Sequence, residues 1–106
     1  MITRAEELIL LAVWRLKERA YSVAIREELK TVTGQSWSFG AVYMPLDRLV
    51  KRGLLESFLA DPTQERGGRS KRIYLPTAKG LAALEEIRKI QETAWRGMPR
   101  RITEDA

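Results

Sequence analysis

The chain contains no cysteine and no histidine. Without thiols there is no disulfide framework and no thiolate metal site, and without imidazole the commonest metal ligand is gone. Every mechanism built on a cysteine nucleophile or a histidine base is excluded with them. Carboxylate and lysine chemistry would remain, but no such pair is set out as an acid and its base. No catalytic residue, metal site or cofactor is therefore expected, and the chain is not read as an enzyme. Long apolar runs are missing as well. The longest, Leu8 to Trp14, is far shorter than the roughly 20 residues of a membrane-spanning helix. The N-terminus also lacks the basic, apolar, small-residue order of a secretion signal. The expectation is a cytoplasmic protein with no membrane partner.

What is present is ordinary globular composition with a cationic bias. Of 106 residues, 44% are hydrophobic and 31% charged, which suits one modest core and argues against disorder. The net charge of +5 and pI near 9.9 favour a polyanionic partner, whose condensed counterions are released on binding. Charge alone is weak grounds, since many basic proteins bind nothing anionic.

Local signals divide the chain into helices and strands. Thr3 and Glu6 form a capping box, so a first helix is expected from Arg4 to Arg19. Its middle, Leu8 to Trp14 and Leu16, leaves almost no polar face and must be covered from more than one side. Ser22 is expected to cap a second helix with Ile25, Leu29 and Val32 at helical spacing, and Gly34 to end it. After Gln35-Ser36-Trp37, Ser38 caps a third helix whose stripe is Phe39, Val42, Leu46 and Leu49, with Gly40, Met44, Asp47, Arg48 and Lys51 opposite. Pro45 removes the amide that would bond the Ala41 carbonyl, and a bend is expected there. Gly53 stops this helix. Leu54–Ala60 and Lys71–Leu75 read as strands, Pro76 ends the second, and Thr77 caps a last helix over Ala78–Arg96 with a broad apolar band.

The fold class that follows is mainly α with a small β-hairpin: a winged helix-turn-helix followed by a C-terminal helix. The second helix of such a pair lays its N-terminal residues in the major groove. Gly40 and Ala41 would allow close approach there, and Ser36, Ser38, Arg48 and Lys51 could donate to phosphates or base edges. Tyr43 sits at the stripe's edge, where its ring packs and its hydroxyl reaches a phosphate, or where it serves the core alone. Between the strands, Arg66, Arg69, Lys71 and Arg72 stand against Glu65, and Gly67-Gly68 lets the backbone approach a phosphate ridge. In isolation those arginines could merely keep a hairpin soluble. Placed after a helix-turn-helix, they favour DNA contact. Trp37 is read as packing. Trp14 and Trp95 are read as interface filler, or as the walls of a cavity that stacks a small planar aromatic effector.

The motifs Glu7–Ala12, Ala20–Ile25, Ser38–Tyr43, Leu46–Leu54, Gly67–Tyr74 and Thr77–Gly80 together resemble the PadR family of winged-helix transcriptional regulators, in its short class. The likeness runs from about residue 4 to 96. It implies a homodimer in which the last helix of each subunit packs on the first and last helices of the other. On that basis residues 1–76 form the DNA-binding domain, 77–97 the dimerisation helix and 98–106 a flexible tail.

The same resemblance assigns DNA contact to Tyr43 and to Arg69 and Lys71; the residues themselves add Ser36, Ser38, Gly40, Ala41, Met44, Arg48, Lys51, Arg66 and Gly68 to the expected DNA-contacting set. Leu8, Leu11, Trp14, Leu84, Ile87, Gln91 and Trp95 are assigned to dimerisation or an effector pocket. The family often places proline directly after the tyrosine, whereas here Met44 intervenes before Pro45. The expected function is a sequence-specific repressor on a pseudo-palindromic double-stranded operator, released by a small-molecule effector or a stress signal. The rival reading is a winged helix that holds another protein without specific DNA binding.

Overall fold

The computed structural model describes residues 1–60 and 71–104. Within them, helices α1 (Arg4–Leu16), α2 (Ser22–Thr33) and α3 (Phe39–Lys51) precede strands β1 (Leu55–Leu59) and β2 (Arg72–Pro76), and helix α4 (Ala78–Trp95) follows.

The capping box at the start of α1 is complete. Glu6 N–H donates to Thr3 Oγ1 at 3.1 Å, and Thr3 N–H donates back to Glu6 Oε1 at 2.8 Å. The helix stops at Leu16 rather than Arg19, and Lys17 takes φ 56° as the first residue of a short 3₁₀ turn, Lys17–Arg19. The cause is tertiary. The Tyr74 N–H of β2 donates to the Ala20 carbonyl at 2.9 Å, which requires the chain to leave the helical path before Ala20.

Tyr21, not Ser22, is the N-cap of α2, and no side chain caps it. Gly34 closes the helix at φ 75°, a conformation that costs glycine nothing, and its N–H donates to the Lys30 carbonyl at 2.8 Å. Ile25 and Leu29 are buried, whereas Val32, the third member of the expected stripe, is exposed beyond the core's edge. The core itself is built from Ile9, Leu10 and Val13 of α1, Ile25 and Leu29 of α2, Val42, Leu46 and Leu49 of α3, and Leu55 and Tyr74 of the hairpin. The strands pair antiparallel, with Leu55 opposite Pro76 and Leu59 opposite Arg72.

Helix α4 is held firmly at one end. Thr77 Oγ1 accepts the Gly80 N–H at 3.1 Å and donates to the Gly53 carbonyl at 2.7 Å, and Lys79 Nζ donates to the Arg52 carbonyl at 3.1 Å. Gly80 is there for space, because a Cβ at that position would overlap the Leu54 carbonyl oxygen. Past this anchor the helix runs about 22 Å further with little over it. Gly80 is the one residue of α4 that is buried.

The outcome is an elongated molecule, 55 × 28 × 20 Å, with a radius of gyration of 16.1 Å against about 13 Å for a compact chain of this length. Its accessible surface of 7901 Å² exceeds by roughly 1,800 Å² the value expected of a folded monomer of 12.2 kDa. No helix is long and apolar enough to cross a membrane among the described residues.

Candidate nucleic-acid interface

Ser38 fixes the start of α3 as expected, its Oγ accepting the Ala41 N–H at 3.1 Å. Val42, Pro45, Leu46 and Leu49 turn into the core, and α3 continues through Pro45. The opposite side of its first two turns faces solvent: Phe39, Gly40, Ala41, Tyr43 and Met44 are all exposed. Phe39 is a correction to the expected core stripe, being 60% exposed. As the first helical residue it lies beyond the core's edge, and its ring stacks on Tyr43 instead, with centroids 5.5 Å apart and planes at 11°. Met44 is 56% exposed. Helical spacing puts Gly40 and Met44 on the outermost line, with Ala41 on one flank and the stacked rings on the other.

The cations expected on α3 are largely engaged. Lys51 Nζ pairs with Asp47 Oδ2 at 2.8 Å, and that hydrogen bond and charge hold its ammonium above the usual lysine range. Arg48 Nε donates to Glu6 Oε2 at 3.3 Å, and Arg52 Nη1 reaches Glu6 Oε1 at 3.5 Å. Burial pushes the Glu6 carboxyl up, but the Thr3 amide and the two guanidiniums outweigh it and leave it below the usual glutamate range. Arg48, expected to face DNA, is thus turned toward the side of α3 that meets α1.

The turn before α3 is tied down by side chains. Trp37 Nε1 donates to Thr33 Oγ1 at 3.1 Å while its ring packs against the core, and Arg26 Nε donates to the Trp37 carbonyl at 3.1 Å. Ser36, Lys30 and Arg26 edge a shallow groove of about 290 Å³ beside this turn. Lys71 places its ammonium 4.1 Å from the centre of the Tyr21 ring, and Arg72 Nη1 donates to Ser57 Oγ at 3.0 Å. The first contact sets the start of β2 beside Tyr21, the N-cap of α2, and the second ties β2 to β1 within the hairpin. Arg66, Gly68 and Arg69 lie outside the described residues.

Three contributors escaped the sequence reading. Phe39 was assigned to the core, although its spacing of four from Tyr43 was a visible signal for a surface pair. Arg26 and Tyr21 were given no role. For those two nothing in the linear order announces the partner.

The residues assigned to a partner interface or pocket separate into two groups. Leu11, Trp14, Leu84 and Gln91 line a groove of about 500 Å³ between α1 and α4. Ile87 and Gln91 line a second, of about 630 Å³, on the other side of α4 with Ile2, Leu54 and Ile90. Between the two grooves, Gln91 Nε2 donates to the Glu7 carboxylate at 3.1 and 3.3 Å, so this residue spans both walls. Leu8 packs against the core, and Trp95, 57% exposed, lines neither groove.

The sequence model described as transcriptional regulator PadR-like family matches residues 10–86. Among solved structures, a PadR-like transcription factor from Bacteroides fragilis is 30% identical, with 84% of each chain covered and a TM-score of 0.66. A PadR-like transcriptional regulator from Bacillus cereus is 27% identical over 84% of this chain and 82% of its own, with a TM-score of 0.70. RosR of H. salinarum is 26% identical over 92% of this chain and 81% of its own, also with a TM-score of 0.70. No curated protein matches the sequence.

Proposed function

Because the chain belongs to the PadR-like family of transcriptional regulators, we propose that it is a sequence-specific DNA-binding repressor that acts as a homodimer on a pseudo-palindromic operator. The observation that carries this reading is the division of α3. One face fills the core through Val42, Leu46 and Leu49, and the first two turns of the other offer Gly40, Ala41, Tyr43 and Met44 to solvent. A helix held so from behind, after a turn locked by Trp37, can be laid in a major groove without loss of its own packing. The family's members are transcription factors and not enzymes, and this chain has the same standing.

The dimer is proposed from α4, whose apolar side chains Ile87, Ile90 and Trp95 have little cover in one subunit. A second copy related by a two-fold axis would cover them and would set two α3 helices about 34 Å apart, one turn of B-DNA. The groove holding Trp14 and Leu11 is the place proposed for a small planar aromatic effector, whose binding would change the spacing of the two helices. Loss of operator binding on adding such a compound, with quenching of tryptophan emission, is the expected sign.

The test of DNA recognition is selection of bound fragments from sheared genomic DNA, followed by footprinting. Two protected half-sites with two-fold symmetry are expected. Affinity should also fall by about 0.9 log units per log unit of salt for each phosphate neutralised, with a smaller slope in Lys71→Ala and Arg69→Ala. Capture of one protein partner together with indifference to DNA sequence would instead establish the interaction-module reading, which the exposed Phe39, Tyr43 and Met44 would also serve.

A further inference from the structure

Hydrogen-bonded readout of bases in the major groove is carried chiefly by arginine, lysine, asparagine and glutamine, whose groups reach two atoms of one base edge. None of these four residue types occurs between Ser38 and Pro45, the part of α3 that a helix-turn-helix sets against the bases. Further along the same helix, Asp47 and Lys51 are paired at 2.8 Å and Arg48 is turned to Glu6 at 3.3 Å. What the outward line does present is apolar or absent: Gly40 has no side chain and no heavy atom within 4 Å of where a Cβ would stand, and Met44 projects one turn beyond it. Ala41 is exposed beside them.

The major-groove floor offers one group that such a surface can read, the C5-methyl of thymine. Gly40 lets the helix backbone come close, and methionine is unbranched and polarisable, so it settles against a methyl in more than one rotamer. We infer that α3 recognises DNA through contact of Met44 and Ala41 with thymine methyl groups, so that the methyls of a thymine-containing step in each half-site set the affinity. The inference rests on the DNA-binding reading proposed above and names the chemistry that would be read.

The experiment uses the full chain and its selected operator duplex, with single thymines replaced by deoxyuridine. That exchange keeps every hydrogen-bonding group and removes only the methyl. At one or two positions in each half-site an affinity loss of about four-fold is expected, the factor that corresponds to burying one methyl group. The Met44→Ala protein should bind the thymine operator more weakly by a similar factor and should no longer distinguish thymine from uracil at one of those positions. Met44 is exposed, so this variant should keep its far-ultraviolet circular dichroism. Retained sequence preference with indifference to deoxyuridine everywhere would overturn the inference and leave DNA binding intact. A preference traced to cytosine and removed by Asp47→Asn would also overturn it, by giving the readout to a carboxylate. Failure to bind any duplex would overturn both readings.

Discussion

Arg48 of α3 donates through Nε to the carboxylate of Glu6 in the first turn of α1, at 3.3 Å. That carboxylate is 2% exposed, accepts the Thr3 amide as well, and takes Arg52 Nη1 at 3.5 Å. One side chain therefore caps α1 and sets the rotation and height of α3 against it. The arrangement is asymmetric in cost. The guanidiniums are roughly half exposed and can recover water if the pair is broken, whereas the carboxylate is buried and would lose two of its three partners.

Glu6→Gln should consequently destabilise the fold by about 1–3 kcal/mol, because a neutral amide keeps the shape and one acceptor oxygen but not the charge-assisted bonds. Urea denaturation at neutral pH measures this. An unchanged midpoint would show that the two arginines contribute nothing and that α3 is placed by its apolar face alone.

The same carboxylate sets a pH dependence whose sign can be worked out. Burial pushes its pKa up, and the Thr3 amide, Arg48 and Arg52 bring it to a net value below the ordinary 4.5. A group whose folded pKa is depressed stabilises the fold above its unfolded pKa and loses that contribution as pH falls through the folded value. Stability should therefore be fully supported at neutral pH and should decline below about pH 4.5. In Glu6→Gln the decline should be shallower, and the two proteins should converge in acid. Parallel curves for the two would assign the acid sensitivity to other carboxylates.

How much of this was legible beforehand differs by kind of interaction. The Thr3–Glu6 box, the Ser38 and Thr77 caps and the Gly34 turn were readable because each is a local rule acting within a few residues. The second use of Glu6 was not, since Arg48 is 42 positions away and many arginines could have been its partner. The shortened α1 and the displaced cap of α2 share that origin, for both follow from where Ala20 must meet Tyr74. Phe39 and Val32 were placed in the core because periodicity gives a helix face but not the axial point at which the core ends. On the candidate DNA surface the outward line of Gly40 and Met44 was readable from spacing, and the turning away of Arg48 was not.

Two glycines give opposite expectations for the same substitution. Alanine in a helix is ordinarily worth up to about 1 kcal/mol over glycine. Gly40→Ala, at an exposed position with open space, should gain part of that and raise the melting temperature. If α3 lies in a major groove, the added methyl on its outermost line should at the same time weaken operator binding. Gly80→Ala should reverse the sign of the stability change, because the new Cβ overlaps the Leu54 carbonyl and must push α4 off the winged domain. A loss of about 1–3 kcal/mol is expected from such overpacking. A stabilised Gly80→Ala protein would mean that α4 can shift at little cost and that its anchor is weaker than its hydrogen bonds suggest.

The final expectation concerns α4 beyond that anchor. Ile90 is exposed in one subunit, and a polar or charged residue would be tolerated there if the helix truly faced water. If a second copy covers it, Ile90→Arg buries an unpaired charge in the interface, and the subunits should separate in sedimentation experiments at micromolar concentration. The folded winged domain should persist, since Ile90 is not part of its core. Operator affinity should then fall by about 100-fold or more, because each α3 would bind its half-site without the effective concentration that a tethered partner supplies. The melting temperature of the unmodified protein should in addition rise with protein concentration, as expected when assembly and folding are linked. A single-subunit species for the unmodified chain, or an Ile90→Arg protein that still pairs and still protects both half-sites, would place the dimer contact somewhere other than α4.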